Sequence, residues 1–278
     1  MPDPSVSAPA LPAAGLRLLA IESSTDTLSI ALGSGLPGGP EWSYSGPGSA
    51  QASIALLPQV RTLLERAAWP LHSLDAVVFA RGPGSFTGLR TACAVAQGLA
   101  FGAQSAVRPE GLPVLPVDTL LALAHAAVHA RQQAGGAPAP FVAALLDARM
   151  GELYVAVYAS GASGLQALAP PCLCRPQDLR ATLSAVLPGG LALHPGGPAL
   201  LLAGNAFDAY PALAIDIGPS FGAEQQTALP TASALLRLAP GLLAAGGAVQ
   251  AQDALPLYVR DKVAQTTAER EQQRRAGA

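Results

Sequence analysis

Short apolar runs alternate along this chain with longer segments whose apolar residues recur at helical spacing. The short runs predict strands, and the longer segments predict amphipathic helices. Strands are expected at residues 16–22, 28–32, 75–80, 112–117, 141–147, 151–158 and 200–204, with a shorter one near 41–44. Helices are expected at residues 53–68, 89–101, 119–131, 176–187 and 232–245. Because strands and helices alternate along most of the chain, the pattern predicts an α/β fold.

One stretch, residues 75–102, joins a strand, a glycine-rich turn and a helix. The turn has a Gly-x-Gly-x-x-x-Gly pattern that begins at Gly82, and Ser85 and Thr87 are both suitable N-caps for the helix. A helix start of this kind offers free N–H groups to an anion. The turn lacks the Gly-Lys-Ser/Thr ending of a P-loop and is one residue too long for the dinucleotide fingerprint. The turn can therefore be interpreted either as a phosphate-binding site or as a tight turn without a ligand.

Composition indicates a folded protein with little attraction for nucleic acid. Hydrophobic residues make up 50% of the 278 residues, charged residues make up 12%, and the formal net charge is −2. A domain that grips nucleic acid by itself usually carries a basic excess, so strong direct binding to tRNA is disfavoured. Residues 1–15 lack the basic start and apolar stretch of a signal peptide, and no apolar run is long enough to span a membrane. We therefore expect a cytoplasmic protein.

The spacing of cysteines and histidines gives little support for a metal site. Cys172 and Cys174 form a C-x-C pair, but no second pair completes a structural zinc site. His125 and His129 lie four residues apart on one predicted helix, a spacing that places two ligands on one face. No HExxH glutamate accompanies them, and a half-exposed helix face is the other interpretation. We expect no metal bound by this chain.

The residues RGPGSFTGLR at 81–90, followed by AQGLAFG, resemble the signature of the TsaB (YeaZ) family. Further segments in the same order extend the resemblance over most of residues 16–160 and to LYVR near 258. The resemblance implies a two-lobed actin-like ATPase fold, ribonuclease H-like, with mixed sheets flanked by helices. It also implies a non-catalytic partner of the subunit TsaD. With ATP and TsaE, that complex transfers a threonylcarbamoyl group to N6 of adenosine 37 in tRNAs reading ANN codons.

The resemblance gives several polar residues a place in this fold. In actin-like proteins the first hairpin points at the nucleotide phosphates, and Glu22 stands where the family usually has Asp. Asp147 and Arg149 lie in a second closely matching segment and are candidates for the cleft between the lobes. ATP or ADP and a metal are expected only in the partner complex, since Thr119 and Leu123 match the metal histidines of TsaD. The candidates for contact with phosphate or nucleotide are Ser24, Thr25, Gly82, Gly84, Ser85, Thr87 and Gly88.

The helices at 53–68 and 89–101 are apolar on nearly all sides, so each needs cover on two sides. One side can pack on a sheet, and the resemblance implies that the other side pairs with TsaD or with a second copy of the chain. Packing wholly inside the core is the alternative. Relatives have a His-Ser or His-Thr pair at the start of the first helix, whereas this chain has Ala52 and Ser53. The expected contact residues are Ile54, Leu57, Val60, Leu64, Leu89, Cys93, Ala96 and Leu99.

The first of the two expected lobes is discontinuous in sequence. Residues 16–110 together with 230–260 form the first lobe, and residues 111–229 form the second. Residues 1–15 and 261–278 are expected to be a flexible extension and a flexible charged tail.

Two other functions fit weaker signals in the sequence. A small-molecule phosphotransferase of the same fold would use Glu22 and Asp147 as metal-linked carboxylate and general base. A metallopeptidase would need His125 and His129 to bind zinc.

Overall fold

The computed structural model describes residues 15–48, 51–188 and 197–260. Within these ranges the chain forms two mixed sheets, one in each lobe. The first sheet contains β1 (Leu18–Glu22), β2 (Thr27–Gly33), β3 (Glu41–Pro47), β4 (Ala76–Gly82) and β5 (Val114–Asp118). The second contains β6 (Phe141–Asp147), β7 (Leu153–Gly161), β8 (Gly164–Ala167), β9 (Cys172–Cys174), β10 (Leu200–Gly204) and β11 (Ala223–Thr227). The helices are α1 (Ala52–Ala67), α2 (Phe86–Gly102), α3 (Thr119–Gln133), α4 (Leu179–Val186), α5 (Ala206–Ala209), α6 (Ala212–Phe221) and α7 (Ala232–Ala244).

The two sheets have the same topology. In the first, the strand order is β3-β2-β1-β4-β5, with antiparallel pairs from β3 to β1 and parallel pairs from β1 to β5. In the second, β8-β7-β6-β10-β11 repeats both the order and the directions, and β9 also pairs with β7. This arrangement confirms the predicted two-lobed, actin-like α/β fold with mixed sheets flanked by helices.

Two helices fill the space between the sheets, and each covers the sheet of the other lobe. The helix α3 follows β5 of the first lobe, yet its Leu120, Leu123 and Ala127 pack against β6 and β10. The helix α7 follows β11 of the second lobe, yet its Leu235 and Ala239 pack against β1, β2 and β4. The inner face of each sheet is thus buried under a helix from the opposite half of the chain.

The outer face of each sheet is covered by helices of its own lobe. Successive side chains of a strand point to opposite faces. Accordingly, Leu19 and Ile21 of β1 pack in the outer core with α1 and α2, whereas Leu18 and Ala20 pack in the inner core with α7. On the second sheet α4, α5 and α6 take the outer position. None of the helices in the described part of the chain is long and apolar enough to cross a membrane.

Most predicted elements are confirmed, with differences at their ends. The second outer helix begins at Phe86, earlier than expected, because Ser85 rather than Thr87 is its N-cap. Asp118 precedes α3 as expected but makes no side-chain cap, since its carboxylate accepts a hydrogen bond from Arg81 Nε at 2.5 Å. The sequence pattern does not predict β8, β9 and β11, which are short strands with few buried residues. It also misses α5 and α6.

The boundary between the lobes lies later than expected. Residues from 111 onward are expected in the second lobe, but β5 pairs in parallel with β4 and belongs to the first sheet. The chain therefore passes from the first lobe to the second at α3, after residue 118. The segments expected to be flexible, residues 1–15 and 261–278, lie outside the described residues except for Gly15.

The outer edge of β5 is closed to further strand pairing. Val114 and Val249 exchange two backbone hydrogen bonds, at 2.9 and 2.8 Å. Two residues further along β5, Pro116 has no N–H to offer on the same edge. A strand from another chain therefore finds no regular ladder to extend at this edge.

Adjacent leucines on α1 allow a direct check of which face of this helix is buried. Leu56 is fully buried in the outer core, whereas Leu57 is 51% exposed. We expect Leu56→Ala to lower the free energy of unfolding by about 3 kcal/mol, because it removes core contacts and leaves a cavity. The identical change at Leu57 should cost roughly 0.5 kcal/mol or less. Urea unfolding followed by circular dichroism measures both, and equal losses would contradict the orientation of α1.

Candidate functional site

A cleft of about 250 Å³ lies between the lobes. The first lobe contributes the β1–β2 turn and the start of α2, the second contributes the β6–β7 turn and Asn205, and residues 257–260 close one side. Pockets that hold typical small ligands measure roughly 300–1,000 Å³, so this cleft is small for a nucleotide. Of the predicted phosphate candidates, those that line the cleft are Ser24, Thr25, Gly84 and Ser85. Those that do not line it are Gly82, Thr87 and Gly88.

Two glycines of the α2 turn are required by backbone packing. A Cβ at Gly88 would lie 1.8 Å from the carbonyl oxygen of Ser23, and one at Gly84 would lie 2.5 Å from that of Ser24. This close approach lets the Ser85 N–H donate to Ser24 O at 2.7 Å and the Ser23 hydroxyl donate to Gly88 O at 2.8 Å. The glycines thus join the turn of the first hairpin to the start of α2, which supports the interpretation as a tight turn.

Glu22 does not line the cleft, contrary to the sequence prediction. Its side chain is fully buried under the β1–β2 turn, where its carboxylate accepts hydrogen bonds from the Ser24 N–H at 2.9 and 3.2 Å and from the Ser24 hydroxyl. Burial raises the pKa of Glu22 to about 7, because desolvation disfavours the charged form more strongly than the Ser24 hydrogen bonds favour it. Glu22 therefore stabilises the β1–β2 turn through its hydrogen bonds to Ser24.

Asp147 and Arg149 lie in the cleft as predicted, in the β6–β7 turn of the second lobe. The Asp147 N–H donates to Asn205 Oδ1 at 3.0 Å, and Asp147 Oδ1 accepts from the Arg149 N–H at 2.9 Å. The Arg149 guanidinium also forms an ion pair with Asp26 in the β1–β2 turn. The two turns occupy the same place in the repeated topology, so corresponding turns of the two lobes meet across the cleft.

Residues 254–260, which we call the strap, run from α2 to the β6–β7 turn. The Leu257 N–H donates to Arg81 O at 2.7 Å, and the Tyr258 hydroxyl accepts from Arg90 Nε at 3.1 Å. At the far end, Arg260 Nη2 donates to Glu152 Oε2 at 2.7 Å. In the sequence, the strap is recognisable only by the family-like residues LYVR near 258. Its contacts join residues far apart in sequence, and residue spacing carries no signal for such pairs.

The histidine pair lacks the surroundings of a metal site. The rings of His125 and His129 stack with centroids 6.3 Å apart. Burial and, to a smaller extent, the nearby Arg237 together lower the pKa of His125 to about 4, because both disfavour the positively charged ring. The same cation would repel a metal ion. Within the ranges the structure describes, no group of three or more His, Cys, Asp or Glu side chains is placed to hold a metal.

The cysteines are free thiols. Burial raises the pKa of Cys174 to about 11 and also raises the pKa values of Cys172 and Cys93. Metal binding and nucleophilic attack need the thiolate, which these environments disfavour. The C-x-C pair therefore belongs to the packing of β9 on the second lobe.

The outer helices expose only part of the predicted contact set. Ile54 is 78% exposed and Leu57 is 51% exposed, while Leu64 and Leu99 are half-buried along a groove between α1 and α2. The prediction that all eight residues are available for contact is wrong, because four of them are buried inside the first lobe. These four are Val60, Leu89, Cys93 and Ala96.

A strip of small residues on α2 was not predicted from the sequence. Ala94, Gly98 and Gly102 follow one another at intervals of four residues, and all three are exposed. A Cβ added at Gly98 or Gly102 would meet no atom within 4 Å, so both glycines face open space. Phe101, which is 63% exposed, lies beside them. The four-residue spacing of these small residues is visible in the sequence. A search for apolar periodicity overlooks it, because such a search relies on large apolar side chains.

The carboxylates around the cleft are engaged with arginines. Asp26 and Asp147 both pair with Arg149, and Glu152 pairs with Arg260. A phosphotransferase needs a carboxylate positioned to hold a metal or to accept a proton from substrate. Because these acids are held by cations, the geometry does not favour that alternative function.

The close contact between Gly88 and Ser23 predicts intolerance of a single methyl group. We expect Gly88→Ala to destabilise the protein by about 3 kcal/mol, because a backbone carbonyl blocks the added Cβ. Gly98→Ala on the same helix is the matched control and should stabilise it by roughly 0.5–1 kcal/mol through helix propensity. Urea unfolding of both variants is the measurement, and a tolerated Gly88→Ala would show that the α2 turn does not pack this closely.

Burial of Glu22 predicts a stability that falls with rising pH. Its pKa is about 7 in the folded protein against 4.5 for an unperturbed group, so the stabilising protonated form is lost as pH rises through about 7. We expect Glu22→Gln, which stays neutral, to match the wild type in unfolding free energy at about pH 4, below the unfolded pKa. At about pH 8, above both pKa values, it should exceed the wild type by up to about 3 kcal/mol. Thermal and urea unfolding across this range test the difference, and parallel pH profiles would argue against a buried Glu22.

Comparisons with known proteins agree with this architecture. The family model described as "TsaD: tRNA N6-adenosine threonylcarbamoyltransferase" matches residues 48–268. The tRNA threonylcarbamoyladenosine biosynthesis protein TsaB of Escherichia coli is 30% identical over 261 residues, which cover 90% of this chain and 96% of that protein. TsaB of Haemophilus influenzae is 39% identical over 139 residues, and the chain spans about half of that protein's length, 52%.

A solved structure shares the two-lobed fold. YeaZ from Pseudomonas aeruginosa is 33% identical, superimposes with a TM-score of 0.67, and is matched over 87% of this chain and 99% of its own. The similarity therefore covers both lobes and the turns that meet at the cleft. On this similarity of sequence and fold, the chain belongs to the TsaB (YeaZ) family.

Proposed function

We propose that this protein is a non-catalytic subunit of the complex that transfers a threonylcarbamoyl group to N6 of adenosine 37 in tRNAs reading ANN codons. In this proposal it binds and activates a TsaD subunit through α1 and α2, and TsaE joins the assembly. The tRNA, ATP or ADP and a metal are held by the complex rather than by this chain alone. Without its partner, the chain pairs with a second copy through the same helices in the cytoplasm. The names of its relatives and of the matching family model support this role.

The observation that carries the proposal is the exposed apolar face of α1 and α2. Ile54, Leu57 and Phe101 are each more than half exposed, although each is large and apolar. Leu57 borders an apolar groove, and exposed apolar surface of this kind on a folded protein marks an interaction site. Between the helices runs a groove lined largely by apolar side chains, which include Leu64, Trp69 and Leu99.

The small strip on α2 indicates how a partner would approach. Side chains at Ala94, Gly98 and Gly102 project little or not at all, so the backbone of another helix can come close. Gly in a helix interior costs about 1 kcal/mol relative to Ala, and neither Gly98 nor Gly102 is required by packing within this chain. Close packing of a partner's helix against this strip would explain why small residues occupy these positions.

Charge at the groove is balanced locally. Arg61 and Glu65 border it and pair with each other at 2.8 Å on the surface of α1. A partner that presents apolar side chains therefore does not have to leave an unpaired charge buried in this groove. The cleft supports the non-catalytic part of the proposal, because its carboxylates are engaged with arginines.

Glycine-to-arginine changes at two open helical positions test the proposed face. Gly98 on α2 and Gly241 on α7 both lie in helices, are exposed, and have no atom within 4 Å of an added Cβ. Arg should therefore be accommodated at either position without loss of folding. We expect Gly98→Arg to weaken binding to TsaD by about 100-fold, or roughly 3 kcal/mol, because the long cation fills the strip. Gly241→Arg should bind like the wild type.

The measurement is co-purification with a TsaD protein and titration by calorimetry, followed by an assay of tRNA modification with TsaD and TsaE. Omission of the chain, or use of Gly98→Arg, should abolish stimulated modification, while Gly241→Arg should support it. If Gly98→Arg binds TsaD as tightly as the wild type, the interface does not include this strip of α2. Modification by this chain without TsaD would contradict the non-catalytic role.

A further inference from the structure

The strap is tied to the first lobe along the side of α2. Ala254 O accepts hydrogen bonds from Cys93 Sγ at 3.2 Å and from Gln97 Nε2 at 3.0 Å. Further along, Tyr258 packs against Phe86 with ring centroids 5.0 Å apart and accepts from Arg90. With the Leu257 contact to β4, these interactions hold most of the strap on the first lobe.

Only the last described residue of the strap reaches the second lobe through an ion pair. The Arg260 guanidinium donates to Ala148 O at 3.0 Å and to Glu152 Oε2 at 2.7 Å, both in the β6–β7 turn. In the same turn Arg149 and Met150 have positive φ angles of 61° and 58°, an unfavourable backbone conformation that needs support from its surroundings. Arg260 supplies that support from the first-lobe side of the cleft.

Two ion pairs bridge the rim of the cleft, and they differ in strength. In the Arg149–Asp26 pair the side chains are 68% and 71% exposed, so water and salt screen their attraction. In the Arg260–Glu152 pair they are only 15% and 31% exposed, and the guanidinium also binds a carbonyl. A partly buried, charge-assisted contact of this kind is the stronger of the two.

We propose that Arg260 is a latch that holds the cleft closed. When Arg260 leaves Glu152 and Ala148, the β6–β7 turn separates from the strap and the cleft widens. The lobes then move about the α3–α7 layer, whose apolar contacts lie behind the cleft and persist. The closed cleft of about 250 Å³ is thus one of two states, and a larger ligand enters only the open one. This latch does not depend on the proposed subunit role.

Distance measurements in the isolated chain test the latch, with labelled protein diluted in unlabelled protein so that only distances within one chain are recorded. Spin labels carried on a ketone-bearing unnatural amino acid at Arg66 of α1 and Ala185 of α4 report the separation of the lobes. Both positions are exposed and lie outside the cleft, and the native cysteines stay unchanged. Electron–electron double resonance then gives the distribution of distances for each variant.

We expect Arg260→Ala to increase the population of the longer distances several-fold over the wild type. Glu152→Gln should give a smaller increase, because Ala148 O still accepts from Arg260. Arg149→Ala is the matched control for loss of the exposed pair and should leave the distribution unchanged. Melting temperatures establish that each variant is folded. A distribution for Arg260→Ala that superimposes on the wild type would overturn the latch, as would an equal shift in Arg149→Ala.

A second readout separates lobe movement from local loosening of the strap. Hydrogen exchange at residues 24–26 of the β1–β2 turn, which lie on the first-lobe side of the cleft, should accelerate several-fold in Arg260→Ala. Exchange that accelerates only in the strap and in the β6–β7 turn would mean that the cleft stays closed and would contradict the proposal.

Discussion

The exchange of helices between the two lobes is the constraint on which the rest of this structure depends. Each sheet has an inner face of apolar side chains, and that face is buried only because α3 crosses to the second sheet and α7 returns to the first. Burial of apolar surface is the main favourable term in folding, so neither sheet keeps its inner core without chain from the other half. The same crossing sets the lobes side by side and brings two equivalent turns together at the cleft.

Much of the fold was predictable because its central elements carry strong local signals. The strands β1, β4 and β6 are buried on both faces and appear in the sequence as short apolar runs. The glycine-rich turn before α2 is recognisable from its composition alone.

The residues at the cleft and on the outer face are harder to predict. Apolar periodicity identifies α1 as a buried helix but does not tell which of two apolar sides meets the sheet. The pattern therefore predicts Val60 on a contact surface, although its side chain lies in the core.

The cleft shows a separate limit of sequence reasoning. Glu22 is the last residue of an apolar strand, at the position where a family resemblance places a functional carboxylate, yet its side chain lies under Ser24 and away from the cleft. The strap contact between Arg260 and Glu152 joins residues that are far apart in sequence and meet only through the folded chain. An actin-like fold thus carries no catalytic conclusion by itself, because function depends on the groups that reach the site.

The closed edge of β5 has a consequence for how this protein is recognised. Many proteins bind a partner by adding one of its strands to a sheet, and such binding relies on main-chain hydrogen bonds that every residue can make. Pro116 and the pairing of Val114 with Val249 remove that option at this edge. A partner that binds on this side of the molecule must therefore recognise the shape of its side chains. Single substitutions on the surface can change partner choice there without disturbing the sheet beneath.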